Sequence, residues 1–333
     1  MMDWLFEFIQ SWFAELAGLV SQGNKRVFVG YLLSAAMIAV VWLMWQRRLK
    51  FLSAIGCLFQ RNLWWTSSSR SDYQVMVLNQ AVMLLLSPLL LSKLALATAL
   101  FYGLNDWITR PLWSLELSVF WASVIFTSCL FVVDDASRYY LHRLMHRWPA
   151  LWAFHRVHHT AQSLTPFTVL RTHPMEGVLF GLRSTMVQGL MIGLFVFLLG
   201  DRVTLFSLLG ANVFTAVFNL LGANLRHSPV PISYGKALER WFISPAQHQI
   251  HHSQASKHWD RNFGVVLAVW DRLGNTLEYG SNKQQLTYGL PDQKPNEHQL
   301  VTLYWQPFKS CWCCFQRNKP NTISQAQQVR HDK

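Results

Sequence analysis

Long apolar runs separated by short basic or polar stretches set the character of this chain. Residues 1–20 alternate Trp4, Leu5, Phe8, Ile9, Trp12 and Phe13 with Asp3, Glu7, Gln10 and Glu15. The pattern predicts an amphipathic helix lying at a membrane interface over residues 1–26; without a basic leading segment it does not read as a signal peptide. Apolar runs of about 20 residues, the length needed to cross a bilayer core, follow at Val27–Trp45, Val77–Tyr102 (interrupted near Pro88) and Trp113–Val133. A further pair, Val178–Leu199 and Val203–Leu221, flanks a Gly200-Asp201-Arg202 turn. About five spans or membrane-embedded helices are therefore expected, with transmembrane helices in 27–133 and a membrane hairpin at 178–221. A polar region at 134–280 encloses that hairpin, and 281–333 forms a C-terminal segment whose polar tail after Phe315 is expected to be disordered. The fold class expected is all-α, a multi-pass helical bundle with a polar cap.

The basic residues give the bundle a direction. Arg47, Arg48, Lys50, Arg61 and Arg70, against Asp72 alone, follow the first run, which places that stretch on the cytoplasmic side. Two hairpins then return the chain to the same side just before residue 142 and again before residue 248. Charged residues are only 14% of the 333, against a usual ~25%, with 16 Trp, 22 Phe and a net charge of +12. The basic residues sit between apolar runs rather than in a stripe, which suits anionic headgroups and argues against nucleic acid. The five cysteines form no CxxC pair and no disulfide framework; Cys311, Cys313 and Cys314 near the C-terminus read as free thiols in a reducing compartment, with a juxtamembrane acylation site or a surface metal scavenger as alternatives.

Candidate chemistry lies in the 13 histidines. Three clusters stand out: His142-Arg-Leu-Met-His146, His155-Arg-Val-His158-His159 and His248-Gln-Ile-His251-His252. Positions i, i+3 and i+4 share a helix face, so each cluster presents its rings together. HxxHH would arise by chance about 0.02 times in such a chain, and it occurs twice. Neutral imidazole is the commonest transition-metal ligand, and eight rings exceed the needs of one ion, so two metal ions in one pocket are expected. A helix pair broken near Pro149 and a helix start at Ser244-Pro245 would carry the second and third clusters.

The ordered set HxxxH, HxxHH and a distal HxxHH, followed by Asn262-Phe263-Gly264 and Trp270-Asp271-Arg272-Leu273, resembles the fatty acid hydroxylase / sterol desaturase superfamily over about residues 131–279. The resemblance implies a membrane-embedded, non-haem di-iron enzyme with a cytoplasmic histidine cap. Such an enzyme uses O2 and external electrons to hydroxylate or desaturate a lipid, or to cleave an ether lipid. It would sit in a bacterial inner membrane or the endoplasmic reticulum. It also suggests two auxiliary ligands. One is His173 of Arg171-Thr-His173-Pro-Met-Glu176, whose alternative is a helix-start residue bonded to backbone. The other is His227 of Asn224-Leu-Arg-His227, whose alternative is a supporting or surface position. His258, His298 and His331 are expected at the surface or in the tail.

Iron suits an all-imidazole site, and zinc would also bind there. Asp134, Asp135, Glu176, Asp260 and Asp271 are candidates to fix ring tautomers or, equally, partners for nearby arginines; Asp271 most resembles a turn residue. No dinucleotide, flavin or haem-attachment motif occurs, so electrons must come from a redox partner or a diffusible reductant. Arg143, Arg147 and Arg156 could dock an acidic carrier or bind phosphate headgroups. The substrate would be a lipid entering from the bilayer, its identity and the oligomeric state left open. A zinc hydrolase is the rival reading, weakened by the lack of a Glu inside the clusters. A metal-binding or transport protein would carry its ligands within the spans.

Overall fold

The computed structural model describes residues 2–108 and 117–317. His331, the polar tail beyond Arg317 and the expected start of the third span at Trp113 lie outside them. The helices run in the order α1 (Met2–Ser21), α2 (Val29–Gln46), α3 (Phe51–Leu58), α4 (Arg61–Trp64), α5 (Ser67–Leu86), α6 (Lys93–Trp107), α7 (Val119–Arg147), α8 (Pro149–His159), α9 (Pro174–Leu199), α10 (Val213–Leu220), α11 (Lys236–Glu239), α12 (Pro245–His251), α13 (Val269–Leu273) and α14 (Leu300–Arg317). A two-stranded ribbon, β1 (Ser207–Leu208) and β2 (Ala211–Asn212), precedes α10.

Among the described residues, three helices are long and apolar enough to cross a membrane: α2, α7, and α9 with the turn that extends it to Arg202. On α2, Leu33, Met37, Val41 and Trp45 are exposed, whereas Ala35, Ala39, Trp42 and Leu43 are buried against Ala54, Leu58, Leu225, Val230 and Ile232. An apolar face left uncovered among the described residues suits contact with lipid. On α9 the small residues Gly189 and Gly193 let α6 come close. A Cβ on Gly193 would lie 2.7 Å from the Ala97 carbonyl oxygen, and one on Gly189 3.0 Å from Leu96. Such small-residue contacts are how helices pack where lipid removes the hydrophobic driving force.

Two of the expected runs are not single long helices, the first of them interrupted where Pro88 suggested. The run at Val77–Tyr102 is not one helix: α5 ends at Leu86, Pro88 sits in a 3-10 turn, and Ser92 opens α6 by accepting from the Ala95 N–H at 3.4 Å. The run at Val203–Leu221 is a ribbon followed by an eight-residue helix. Leu209 and Gly210 both take positive φ (55° and 76°) and turn the chain, and no residue but glycine adopts that conformation freely. Its irregular backbone is satisfied by α7: Ser123 Oγ accepts from the Thr204 N–H at 3.3 Å and Thr127 Oγ1 from the Phe206 N–H at 3.0 Å, while Asn212 Nδ2 donates to the Thr127 carbonyl at 3.1 Å. Irregular backbone in a membrane bundle is tolerated where protein supplies such partners.

α7 is the element that carries chemistry out of the bundle. Its 29 residues span about 43 Å at ~1.5 Å per residue, longer than the ~30 Å hydrocarbon core. A crossing by α7 would leave its last turns, with His142 and His146, beyond that core. Trp148 ends the helix and Pro149 starts α8 at its first position, where a missing N–H costs nothing. The chain reverses there and brings the second cluster back against the first.

Candidate metal centre

Nine of the ten predicted ligands converge, in two groups. His142, His146, His155, His159 and His251 form one; His158, His227, His248 and His252 form the other. Within each group one ring nitrogen per residue lies within 4.8 Å of all the rest, and all nine side chains are buried. α8 and α12 each serve both groups. On α8, His155 and His159 face the first and His158 the second; on α12, His251 faces the first, and His248 and the C-capping His252 face the second. The HxxHH spacing is what divides each short helix between two positions.

Backbone carbonyls fix several tautomers. His142 Nδ1 donates to the Phe263 carbonyl (2.8 Å), His251 Nδ1 to that of Arg261 (2.8 Å) and His158 Nδ1 to that of Arg171 (3.3 Å). A carbonyl only accepts, so the proton sits on Nδ1 and the Nε2 lone pair points into the group. His146, His159 and His251 each bury an Nε2 without a partner. In the second group the Nε2 atoms of His227, His248 and His252 stand 3.1, 3.1 and 3.2 Å from one another. Inward lone pairs and orphaned buried nitrogens are costly alone, and a cation at each focus satisfies them. The residues therefore fit two metal ions. Burial holds the rings neutral as well: it lowers His155 to about 3 and His158 to about 4, and pushes His159, His227, His248, His251 and His252 well below the usual range. Neutral imidazole is the form that ligates.

The supports of these rings are themselves braced. Asp271 accepts from the N–H groups of Phe263 (2.8 Å) and Gly264 (2.7 Å) and from Thr276 Oγ1 (2.6 Å). Asp135 of α7 accepts from Val266, Leu267 and Trp270 Nε1 at 2.9–3.0 Å. Together they clamp the loop whose Phe263 carbonyl holds His142. Arg171, fully buried, donates to the Val157 carbonyl, to Thr160 and to Asp72. Asp72, counted from sequence as the lone acid of a basic loop, is thus an interior ion-pair partner. Ser244 and Gln247 close a capping box at the start of α12, and Gln249 Nε2 donates to the carbonyls of Leu225, Ser228 and Val230 (3.2, 2.9 and 3.0 Å). Those contacts tie α12 to the turn that carries His227.

His173 stands outside both groups. It is the N-cap of α9: Nδ1 accepts from the Met175 N–H (3.1 Å) and Nε2 donates to the Tyr304 carbonyl (3.1 Å). With both nitrogens engaged, no lone pair is free for a metal, so the helix-start alternative describes it. His298, expected at the surface, is half-buried, with Nδ1 accepting from Arg171 (2.9 Å). His258 is half-buried in a 3-10 turn, apart from both groups. Of the five carboxylates, Glu176 and Asp260 approach ring nitrogens, at 3.1 Å from His155 Nδ1 and 3.8 Å from His146 Nδ1. Asp134 pairs with Arg138 and Arg183. Arg156 is bound through two hydrogen bonds to Glu297 (2.8 and 3.1 Å), which removes it as a free docking cation.

A cavity of about 330 Å³ opens onto the centre, lined by His146, His159, His251 and His252 with Trp152, Trp259, Arg156 and Asp260. Its tryptophans were not singled out from sequence. The signal was present for Trp152, which precedes His155 by three residues and His159 by seven and so shares their helix face; its ring lies 5.4 Å from that of His159.

The geometry gives two groups of buried histidines, each able to hold a metal ion, in a helical chain with helices long and apolar enough to cross a membrane. Residues 127–276, which contain all nine converging rings, match the fatty acid hydroxylase family. This part of the chain is similar to the fatty acid hydroxylase / sterol desaturase superfamily. It is 26% identical over 185 residues to an alkylglycerol monooxygenase of Caenorhabditis elegans (55% of this chain, 32% of that protein). Over 146 residues it is 30% identical to the ornithine lipid hydroxylase OlsE of Rhizobium tropici (44% and 40%). Over 169 residues it is 29% identical to a Delta(7)-sterol 5(6)-desaturase of Candida dubliniensis (50% and 36%). The alignments thus span about a third to two fifths of these relatives' own length. No solved structure matches the chain.

Proposed function

We propose that this protein is a membrane-bound, O2-dependent lipid hydroxylase or desaturase whose two groups of histidines hold two iron ions. The observation that carries the reading is the convergence of nine buried, neutral imidazoles from four separate segments onto two foci. Imidazole donors accept zinc as readily as iron, so the choice of iron rests on the relatives, all named for oxidative lipid chemistry. Two bound iron ions would pass externally supplied electrons to O2 and provide the oxidising power needed to attack an unactivated C–H bond.

The chain's own residues do the remaining work. Phe263, Arg261 and Arg171 hold ring protons away from the foci through their carbonyls, so the lone pairs stay directed inward. The cavity at His146, His159, His251 and His252 offers a substrate carbon access to the centre, and Trp152 and Trp259 narrow it and limit water. A second cavity, of about 250 Å³ and almost wholly apolar, lies between α2, α3, α4, Phe167 and the Leu225–Pro229 turn beside His227; it suits an acyl or isoprenoid chain arriving from the bilayer. Electrons come from an external partner or a diffusible reductant, and the histidine end of the bundle faces the cytoplasm.

Lipid analysis of cells with and without the gene, grown under 18O2, tests this reading. The expected result is a lipid that carries label or a new double bond only when the gene is present. An unchanged lipid profile, in cells shown to contain the metal-loaded protein, would overturn it.

A further inference from the structure

Helix α14 has three faces, and one of them is largely exposed among the described residues. Leu303 is buried with Val157 of α8 and Val75 of α5, Leu300 and Tyr304 pack on the same cluster, and Pro307 is buried beside them. Gln306, Lys309, Cys313 and Gln316 form an exposed polar face. Between the two runs Val301, Trp305, Phe308, Trp312 and Phe315, each 44–77% exposed. Their spacing, i, i+4, i+7, i+11 and i+14, draws one continuous apolar stripe along the helix. Soluble surfaces seldom leave such a stripe open.

The position of α14 says what covers it. Its Tyr304 carbonyl accepts from His173 Nε2 at 3.1 Å, and the Phe308 ring lies 5.1 Å from that of His173 and 5.4 Å from that of Phe154. His173 is the cap of α9, one of the three helices long and apolar enough to cross a membrane. The stripe therefore passes level with the first turn of a span, at the depth where headgroups meet acyl chains. Two of its five residues are tryptophans, the ring type that concentrates at that depth, and the adjoining polar face carries Lys309, suited to anionic headgroups.

We propose that α14 is an interfacial helix, seated on the bilayer surface through Val301, Trp305, Phe308, Trp312 and Phe315. The same helix packs on α8, which supplies three of the nine converging rings, and its main chain receives His173. Its seat thereby sets the height of the histidine groups above the membrane. The inference depends on α9 crossing the bilayer, not on the reaction catalysed.

Hydroxyl-radical footprinting of the full-length protein in nanodiscs, one chain per disc, read by mass spectrometry, tests it. Trp305, Phe308 and Trp312 should oxidise as slowly as Met186 on the exposed face of α9, and several-fold more slowly than Trp259 on the cap, although Trp259 is the less exposed in the protein alone (37%). Cys313 should react with a membrane-impermeant maleimide in the same discs. Oxidation of Trp305 and Trp312 at the rate of Trp259, with Met186 protected, would overturn the proposal. So would protection that appears only in discs holding two chains, which would assign the stripe to self-association, or an unreactive Cys313, which would indicate an enclosing protein contact. If Met186 is oxidised too, the spanning role of α9 fails together with the proposal.

Discussion

Glu176 Oε1 lies 3.1 Å from His155 Nδ1, with both side chains almost fully buried. The other rings with a fixed tautomer lean on neutral backbone carbonyls; His155 Nδ1 instead faces the Glu176 side chain without hydrogen-bond alignment, and the second Glu176 oxygen has no partner. A carboxylate behind an imidazole orients the ring and raises its basicity toward a metal. Glu176→Gln should weaken metal retention by about 10–100-fold, read by competition with a graded series of chelators. Retention equal to wild type would show that the carboxylate does not support His155.

The two groups of rings make separable predictions. His158→Ala removes a donor from the second group, so the metal content of purified protein should fall from about two ions per chain toward one, by elemental analysis. His173→Ala should leave that content unchanged. It removes a helix cap and should cost about 0.5–2 kcal/mol of stability, visible as a lower Tm. A metal content that drops in His173→Ala would return this residue to the ligand set.

Asp271 acts through backbone. Asp271→Ala would strand the Phe263 and Gly264 N–H groups in the interior, at about 1–3 kcal/mol for each unpaired group, and would loosen the carbonyl that holds His142. Gly264→Ala attacks the same place by a different route, because its Cβ would meet Asp271 Oδ2 at 2.7 Å and the Leu267 carbonyl at 2.9 Å. Both variants should melt at lower temperature and release metal faster than wild type. A normal melting curve for Asp271→Ala would show that the loop has another brace.

Acid should unfold the metal-free protein through its histidines. Burial lowers His155 to about 3 and His158 to about 4, whereas the unfolded chain titrates near 6.5. The unfolded state binds more protons between these limits. Stability is therefore fully present above about pH 6.5 and is lost progressively as pH falls toward 4 and then 3. Tm measured on chelator-treated protein from pH 7.5 to 4 should decline over that window. A flat profile would contradict a neutral, buried set of rings.

The parts of the site that were legible in sequence are those set by side-chain spacing on helices. HxxxH and HxxHH place their rings on one face wherever a helix forms, and Pro149 and Ser244-Pro245 mark where two of those helices begin. What sequence concealed depends on backbone. The tautomers of His142, His158 and His251 are set by carbonyls, which every residue possesses and no motif announces. Hydropathy at Val203–Leu221 promised a span because it weighs Leu, Phe and Val. It is blind to the turn at Leu209-Gly210 and to the bonds by which Ser123, Thr127 and Asn212 settle irregular chain against α7. His173 was ambiguous for a related reason: a histidine before a proline at a helix start can face a metal or cap the helix, and only the placement of Tyr304 decides.

Because α8 and α12 each lend rings to both foci, the gap between the foci is written into two short stretches of main chain and cannot be adjusted one side at a time. Fraying of the seven-residue α12 would dismantle both positions at once. Loading of the first ion, by stiffening that shared scaffold, would prepare the place of the second, so the occupied centre should assemble as a unit, with little singly loaded protein at equilibrium.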